Sequence, residues 1–425
     1  MDAYIVIAVL ILMIIAFVMN KWPFGLITMT CCIILGVTGV LDTTTAFSGL
    51  CNPMLVMMAG AIVVTNAFAK TSFIKGLQKR IIRLQNGKTG KSLMLVFVIA
   101  IFALATFMPT AAVLTIVFMM ACNLSDEGEV NAARVIFPAS ALTTIWSIRM
   151  PIGLGAGQFA ILNSFLEPYG KEYTVNLFDP MLAGLVPGIL LSVYTIFCYK
   201  LLPKRAASIK NEMLNQGADD ENAKMSKRDE IITYIVFAMM MIFMIFNQFT
   251  GQLLYIGPAL CVVILVFAKI ITVEEVKRGI TADLIFMMAG IFTLTAALTD
   301  TGAGEMIGKA IISLFGGATS EIGLVALFAG IAIIITNFMS NNATMYALIP
   351  VAVTTGIAAG INPAPAVLAI DVAVKCAFIL PSASGEAAMC YGASGYNFKE
   401  TLKFTIPAQI LFYIGTVAGI YCIFC

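Results

Sequence analysis

The stretch TNFMSNNATMYALIP, residues 336–350, decides how this chain is read. Ser340, Asn341, Asn342 and Thr344 place hydroxyls and amides in a run that is otherwise apolar, and no Asp, Glu, Lys or Arg occurs between Ile322 and Ile370. The uncharged run 322–354 has a counterpart at 92–121, with Pro109-Thr110 at its middle. One bilayer crossing takes about 20 residues and two take about 40, and each run falls between. Two arms of about 14 residues reach only ~21 Å apiece, short of a ~30 Å hydrocarbon core. The object that fits is a re-entrant helical hairpin, one in each half, with its tip near mid-membrane.

Composition widens this to the whole chain. It is 60% hydrophobic and 11% charged, where a soluble domain carries roughly 25% charge, and the mean hydropathy is +0.98. Uncharged runs recur at 3–19, 24–40, 52–69, 132–166, 181–199, 231–249, 253–268, 284–299, 364–396 and 404–425. The expected class is an all-α polytopic membrane protein. The run at 3–19 lacks a basic flank and a small-residue cleavage site, so it reads as the first span rather than a signal peptide. With no histidine, imidazole acid–base chemistry and the commonest metal ligand are excluded. The ten cysteines sit mostly in apolar runs, as packing residues do. A net charge of +2 without a basic cluster gives no nucleic-acid footprint.

Charge also orients the chain. Residues 70–91 are rich in Lys and Arg and hold no acid; 200–228, Lys269/Lys277/Arg278 and Lys399/Lys403 are further basic loops. All four are cytoplasmic only if 92–121 and 322–354 are hairpins rather than crossings. Both termini then lie outside the cell membrane. The two halves match in order: MMAG at 57–60 and 287–290, Phe107-Met108 and Phe338-Met339, Pro151/Gly155 and Pro381/Gly385, LVPGIL at 185–190 and TIPAQIL at 405–411. Chance similarity among apolar segments is the alternative, and the common order opposes it. Each half holds five crossings and a hairpin, so the second is inverted relative to the first, the pattern of secondary transporters with a midplane site. Repeat 1 is 1–203 (scaffold spans 1–69, interfacial helix 70–87, hairpin and transport part 88–203). A cytoplasmic linker, 204–230, precedes repeat 2 at 231–425 (scaffold spans 231–300, interfacial helix 301–318, hairpin and transport part 319–425).

The stretches KWPFGLI, AFSGLCNP, SNNAT and AFILPSASGEAAMCYGASGYNFKETLKFTIPAQIL are similar to the divalent anion:sodium symporter family of the ion-transporter superfamily. The resemblance runs over the whole chain. It implies a homodimer of elevator-type carriers for di- or tricarboxylates or sulfate, with sodium as coupling ion. That family marks both tips with Ser-Asn-Thr. Here the second tip keeps Ser340-Asn341, while the first reads Met108-Pro109-Thr110-Ala111-Ala112, and Ser384-Gly385-Glu386-Ala387 stands where Thr-Pro-Pro-Asn is usual. One sodium near Ser340 and Asn341 is retained on this reading, and sodium dependence is reduced or absent.

Interrupted helices at membrane depth present N–H groups to an anion and carbonyls to a cation. Ser340, Asn341, Asn342, Thr344, Pro109, Thr110, Ser384 and Gly385 are the expected substrate-binding residues; polar contacts between bundled helices are the plainer alternative. Arg149, Asp371, Lys375 and Glu386 are ionisable residues inside interrupted spans, hence candidates for charge coupling. Asp371 and Lys375 at i,i+4 can instead neutralise each other. Arg149 can stand in for a sodium ion or pair with Glu386. Arg134 reads as a snorkelling cytoplasmic residue. The expected activity is secondary active transport of a small anion, by symport or exchange; a proton-coupled permease using Glu386 is the other carrier reading. A channel lacks its ring of repeated charges here, and an intramembrane enzyme lacks histidine or paired aspartates.

Overall fold

The computed structural model describes the chain except residues 1, 20, 75, 77–79, 81–87, 123, 148–153, 209–224, 246–251, 281, 315–319 and 382. Most of the expected interfacial helix 70–87, much of the linker, and Arg149 and Pro151 lie outside the described residues. Among those described, the regular structure is helical.

In order, the longer helices are α1 (Asp2–Met19), α2 (Phe24–Val37), α3 (Pro53–Ala69), α4 (Gly90–Ala105), α5 (Thr110–Cys122), α6 (Ala132–Trp146), α7 (Leu154–Leu166) and α8 (Asp179–Cys198). They continue as α9 (Lys227–Ile245), α10 (Leu253–Phe267), α11 (Ala282–Asp300), α12 (Ala303–Leu314), α13 (Glu321–Thr336), α14 (Asn341–Ala358), α15 (Ala364–Ala373), α16 (Gly385–Ser394) and α17 (Phe398–Phe424). Local chemistry sets their ends. Pro53 opens α3, where a missing N–H costs nothing. The side chains of Asn131, Ser320, Ser340 and Ser384 accept from backbone N–H groups three residues on, at the starts of α6, α13, α14 and α16. Gly395 ends α16 in the left-handed region, at φ 75°.

By length and apolarity, two helices, Asp179–Leu201 and Phe398–Phe424, suffice alone to cross a bilayer among the described residues, and the other apolar helices run 10–17 residues. The runs expected at 24–40 and 253–268 are thus shorter helices, α2 and α10. Each is closed by a tight turn in which Gly39 (φ 76°) and Lys269 (φ 57°) go left-handed.

Six helices form a frame. α2 packs on α11 and α3 on α10, the two most extensive helix pairings among the described residues; α1 covers α2, and α9 covers α10 and α3. The glycine of each MMAG motif makes one of these pairings possible. A Cβ on Gly60 would stand 2.6 Å from the Pro258 carbonyl carbon in α10, and one on Gly290 2.5 Å from Thr28 Cβ in α2. Gly60 therefore meets the backbone of α10, and Gly290 meets Thr28 of α2. The same register holds TyrIleVal at 4–6 on α1 and 234–236 on α9, a match the sequence comparison of the halves passed over because it is short and apolar.

The other helices make a second body. α4 and α5 form one helix–turn–helix and α13 and α14 another; α5 and α4 pack on α6, α13 and α14 on α15, and α8 and α17 cross between them. α14 runs through Pro350 to Ala358, four residues past the expected hairpin, and Gly360 (φ 68°) turns the chain just beyond it. The interrupted span 364–396 departs further from expectation: α15 stops at Ala373, and the described residues from 374 to Ser384 are non-helical. Lys375 consequently lies beyond the helix that carries Asp371, not one turn along it as the i,i+4 spacing suggested. At the edge of the frame, α12 leaves α11 with a 79° bend. It lies against α14 through Gly304 and Gly308, each close to Thr354.

Candidate functional site

The non-helical segment 374–384 exposes backbone that buried surroundings must satisfy. Side chains from three helices do so. Thr336, at the end of α13, shares its hydroxyl proton between the Val374 carbonyl (2.9 Å) and Asn341 Oδ1 (3.0 Å). Asn337 Oδ1 accepts from Ile379 N (3.1 Å) and Gln409 Nε2 (3.2 Å), and Gln409 also donates to the Cys376 carbonyl (2.7 Å). Ser384 Oγ donates to Ala377 O (3.3 Å), and the Tyr391 hydroxyl donates to Ile379 O. The second tip, residues 337–340, is thereby stitched to the interrupted span.

The expected residues of this tip divide. Ser340 caps α14, its Oγ accepting from Ala343 N (3.2 Å), and Asn341 is held by Thr336. Asn342 is exposed. Thr344 is buried with no hydrogen-bond partner for its Oγ1 among the described residues, and Thr143 and Thr405 are alike in this. The residues that do the stitching, Thr336, Asn337, Gln409 and Tyr391, were missed from sequence. Asn337 carried a legible signal, as an amide three residues before Ser340 in the same uncharged run.

The first tip reaches the same segment from its other end. Pro109 occupies the capping position of α5, its carbonyl accepting from Val113 N (3.1 Å), so this tip has no side-chain cap like Ser340. Thr110, the first helical residue, donates its hydroxyl to Glu386 Oε1 at 2.6 Å. Glu386 is in the first turn of α16, just past Ser384, whose Oγ accepts from Ala387 N (3.0 Å), and Gly385, beside which a Cβ would meet no atom within 4 Å. Residues 374–386 thus touch both tips. The starts of α5, α14 and α16 lie along them, each an end with unsatisfied N–H groups and positive partial charge. Such ends attract anions.

Asp371 and Lys375 are both buried. Gln158 of α7 donates to Asp371 Oδ1 (2.7 Å) and contacts Met345 Sδ (3.3 Å), tying α7 to α15 and α14. Sequence reasoning weighed the charged residues and passed over this amide. Arg149, the proposed cation, falls outside the described residues, so its contacts with Glu386 are not described. No cluster of three or more Cys, Asp or Glu suited to a metal occurs among the described residues.

The two bodies meet unequally. α7 packs on α3, with Gly157 facing Met58 at 3.6 Å from its virtual Cβ, and Gly155, Gln158, Phe159 and Leu162 are all buried. Their counterparts on α16, Gly385, Ala388, Met389 and Gly392, are all exposed, and α16 packs on α6 and α5 instead of on the frame. At the tips, Phe107 lies 5.7 Å from the ring of Phe68 and 5.9 Å from Phe73, while Phe338 is 71% exposed.

A family model described as "Citrate transporter" matches residues 14–373. An "Uncharacterized transporter" of Haemophilus influenzae is 23% identical over 383 residues, 86% of this chain and 80% of that protein. The "Sodium-dependent dicarboxylate transporter SdcS" of Staphylococcus saprophyticus is 21% identical over 405 residues, 87% of this chain and 76% of its own. In structure, the Alcanivorax borkumensis YdaH transporter superposes with a TM-score of 0.63 at 12% identity, covering 97% of this chain and 98% of that one, a likeness of fold.

Proposed function

This chain belongs to the citrate transporter family, and from that premise we propose that it is a secondary active carrier of a small di- or tricarboxylate. The observation that carries the reading is the segment 374–386, which joins both hairpin tips and lies along three helix starts. A carboxylate held there takes backbone N–H groups and the amide of exposed Asn342 as donors. The matching crossings at Gly60 and Gly290, the left-handed turns at 39 and 269, and the repeated helix order support two inverted repeats. Separation into a six-helix frame and a second body supports an elevator movement. A homodimer in the cell membrane with both termini outside goes with this reading.

Reduced sodium dependence is part of the proposal. Asn341 Oδ1, Ser340 Oγ and the carbonyls of Val374, Cys376, Ala377 and Ile379 each already accept a protein hydrogen bond. Each of these oxygens therefore has one lone pair fewer to offer a sodium ion near Ser340 and Asn341. The purified protein in liposomes, given labelled citrate, succinate or sulfate with and without a sodium gradient, tests both parts. Saturable uptake of one carboxylate with trans-stimulation is expected. Steep sodium dependence with a Hill coefficient clearly above one counts against the sodium part, and uptake of none against the whole.

The bond from Thr110 to Glu386 favours a second reading, coupling to protons. Protonation of Glu386 would turn an acceptor into a donor at the place where the anion binds. Transport that follows a pH gradient in wild type and ignores it in Glu386→Gln would select this reading.

A further inference from the structure

A cavity of about 370 Å³ lies away from the tips, where the starts of α6 and α17 meet the end of α8. Arg134, Lys200, Lys399 and Lys403 line it, with Glu400 and the bend 201–203. Side chains pin that bend at two places and its flanks at two more. Arg134 Nε donates to the Leu202 carbonyl (3.0 Å), Tyr396 to Pro203 O (2.6 Å), Asn131 to Arg205 O (2.8 Å), and Tyr199 to Glu129 Oε1 (3.0 Å). Arg134 Nη1 reaches the Glu129 carbonyl as well (2.8 Å). Arg134 and Lys200 are held in place before any ligand arrives, which lowers the ordering cost of binding.

Both acids nearby are occupied. Glu129 pairs with Lys200, and that bond, followed by the one from Tyr199, holds its carboxyl below the usual range. Glu400 accepts from Asn397 N (2.7 Å) as the cap of α17 and pairs with Arg205 (3.3 Å). Lys399 and Lys403, one turn apart on α17, have neither a carboxylate nor any other polar partner among the described residues, and both are exposed. Positive charge is thus left uncompensated around a preformed hollow. Exposed Phe197, Leu201 and Phe398 stand beside it.

We propose that this cavity binds the phosphate of an anionic phospholipid head. Cationic hollows between membrane helices at the cytoplasmic rim suit such heads, and the basic loops put this rim on the cytoplasmic side. The apolar neighbours favour a ligand with acyl chains over free phosphate.

The full chain in detergent, titrated with acyl-labelled phosphatidylglycerol or phosphatidylcholine and followed by fluorescence polarisation, tests this. Tight binding of phosphatidylglycerol alone is expected. Lys399→Gln with Lys403→Gln should weaken it about 30-fold, from about 5-fold per lysine. Lys269→Gln with Lys277→Gln, on another basic loop, should leave it unchanged. Both variants are surface changes, and elution as wild type on gel filtration verifies their fold. Equal binding of the two lipids, or equal loss in both double variants, overturns the proposal. Displacement of the label by inorganic phosphate overturns the lipid assignment in favour of free phosphate, and displacement by citrate makes the hollow a vestibule for substrate.

Discussion

Phe107 and Phe338 hold the same place in the two hairpins, just ahead of the tip. Phe107 packs among Phe68 and Phe73 of the frame, while Phe338 is 71% exposed. The helices that follow repeat the contrast: the buried face of α7 lies on α3, and the equivalent face of α16 is bare. Two halves of one design are seen in unlike surroundings. The side on which α16 runs toward Lys399 is open and the side of α7 is shut. On the topology proposed from the basic loops, the open side faces the cytoplasm. In the opposite state the stripe Gly385, Ala388, Met389, Gly392 would close on α11 as α7 now closes on α3.

The sharpest way to break this comparison is at the tips. Asn341→Ala removes the acceptor that ties α14 to Thr336, and Asn342→Ala removes an exposed amide that supports nothing structural. Both should abolish or severely reduce transport, with expression and dimerisation intact; wild-type uptake by both would remove the second tip from the site. Next in size is Thr110→Val, which leaves Glu386 without its donor. A loss of about 1–3 kcal/mol, roughly 5–150-fold in kcat/KM, is expected, with Thr110→Ser recovering most of it. If the valine variant transports normally, the first tip is scaffolding.

Cysteine pairs then test the two states directly. Met58→Cys with Gly157→Cys should crosslink as the protein is isolated, and Met288→Cys with Ala387→Cys only when substrate drives the opposite state. Identical yields with and without substrate in both pairs would count against alternation. A smaller effect is expected from Phe107→Ala. It removes ring contacts worth about 0.5–1.5 kcal/mol, so the population should shift toward the other state by about 2–12-fold, read as slower crosslinking of the first pair.

The two helix–turn–helix units were legible because a polar island in an uncharged run has few physical explanations. MMAG was legible because two glycines at close crossings are forced to recur with their neighbours. The unwinding after Ala373 was not. Residues 374–380, ValLysCysAlaPheIleLeu, hold neither Gly nor Pro, and nothing local forbids a helix there. What unwinds them is remote: Thr336, Asn337, Gln409 and Tyr391 offer their backbone better partners than the next helical turn would. Gln158 was hidden for the converse reason. A lone amide in an apolar helix carries no period, and its meaning appears only when Asp371 lies opposite.

At Gly60 and Gly290 two pairs of helices meet with only the small side chains of Pro258 and Thr28 between them. Such joints have few rotamers to rearrange, which makes the frame stiff. In the proposed elevator movement the apolar band of the second body leaves register with the lipid, and the lipid rather than the frame must bend. Mismatch costs only fractions of a kcal/mol per Å, yet it is summed around the moving perimeter on every cycle. Turnover should therefore slow in membranes of longer acyl chains although nothing in the binding site has changed, so that bilayer thickness acts as a brake on the carrier.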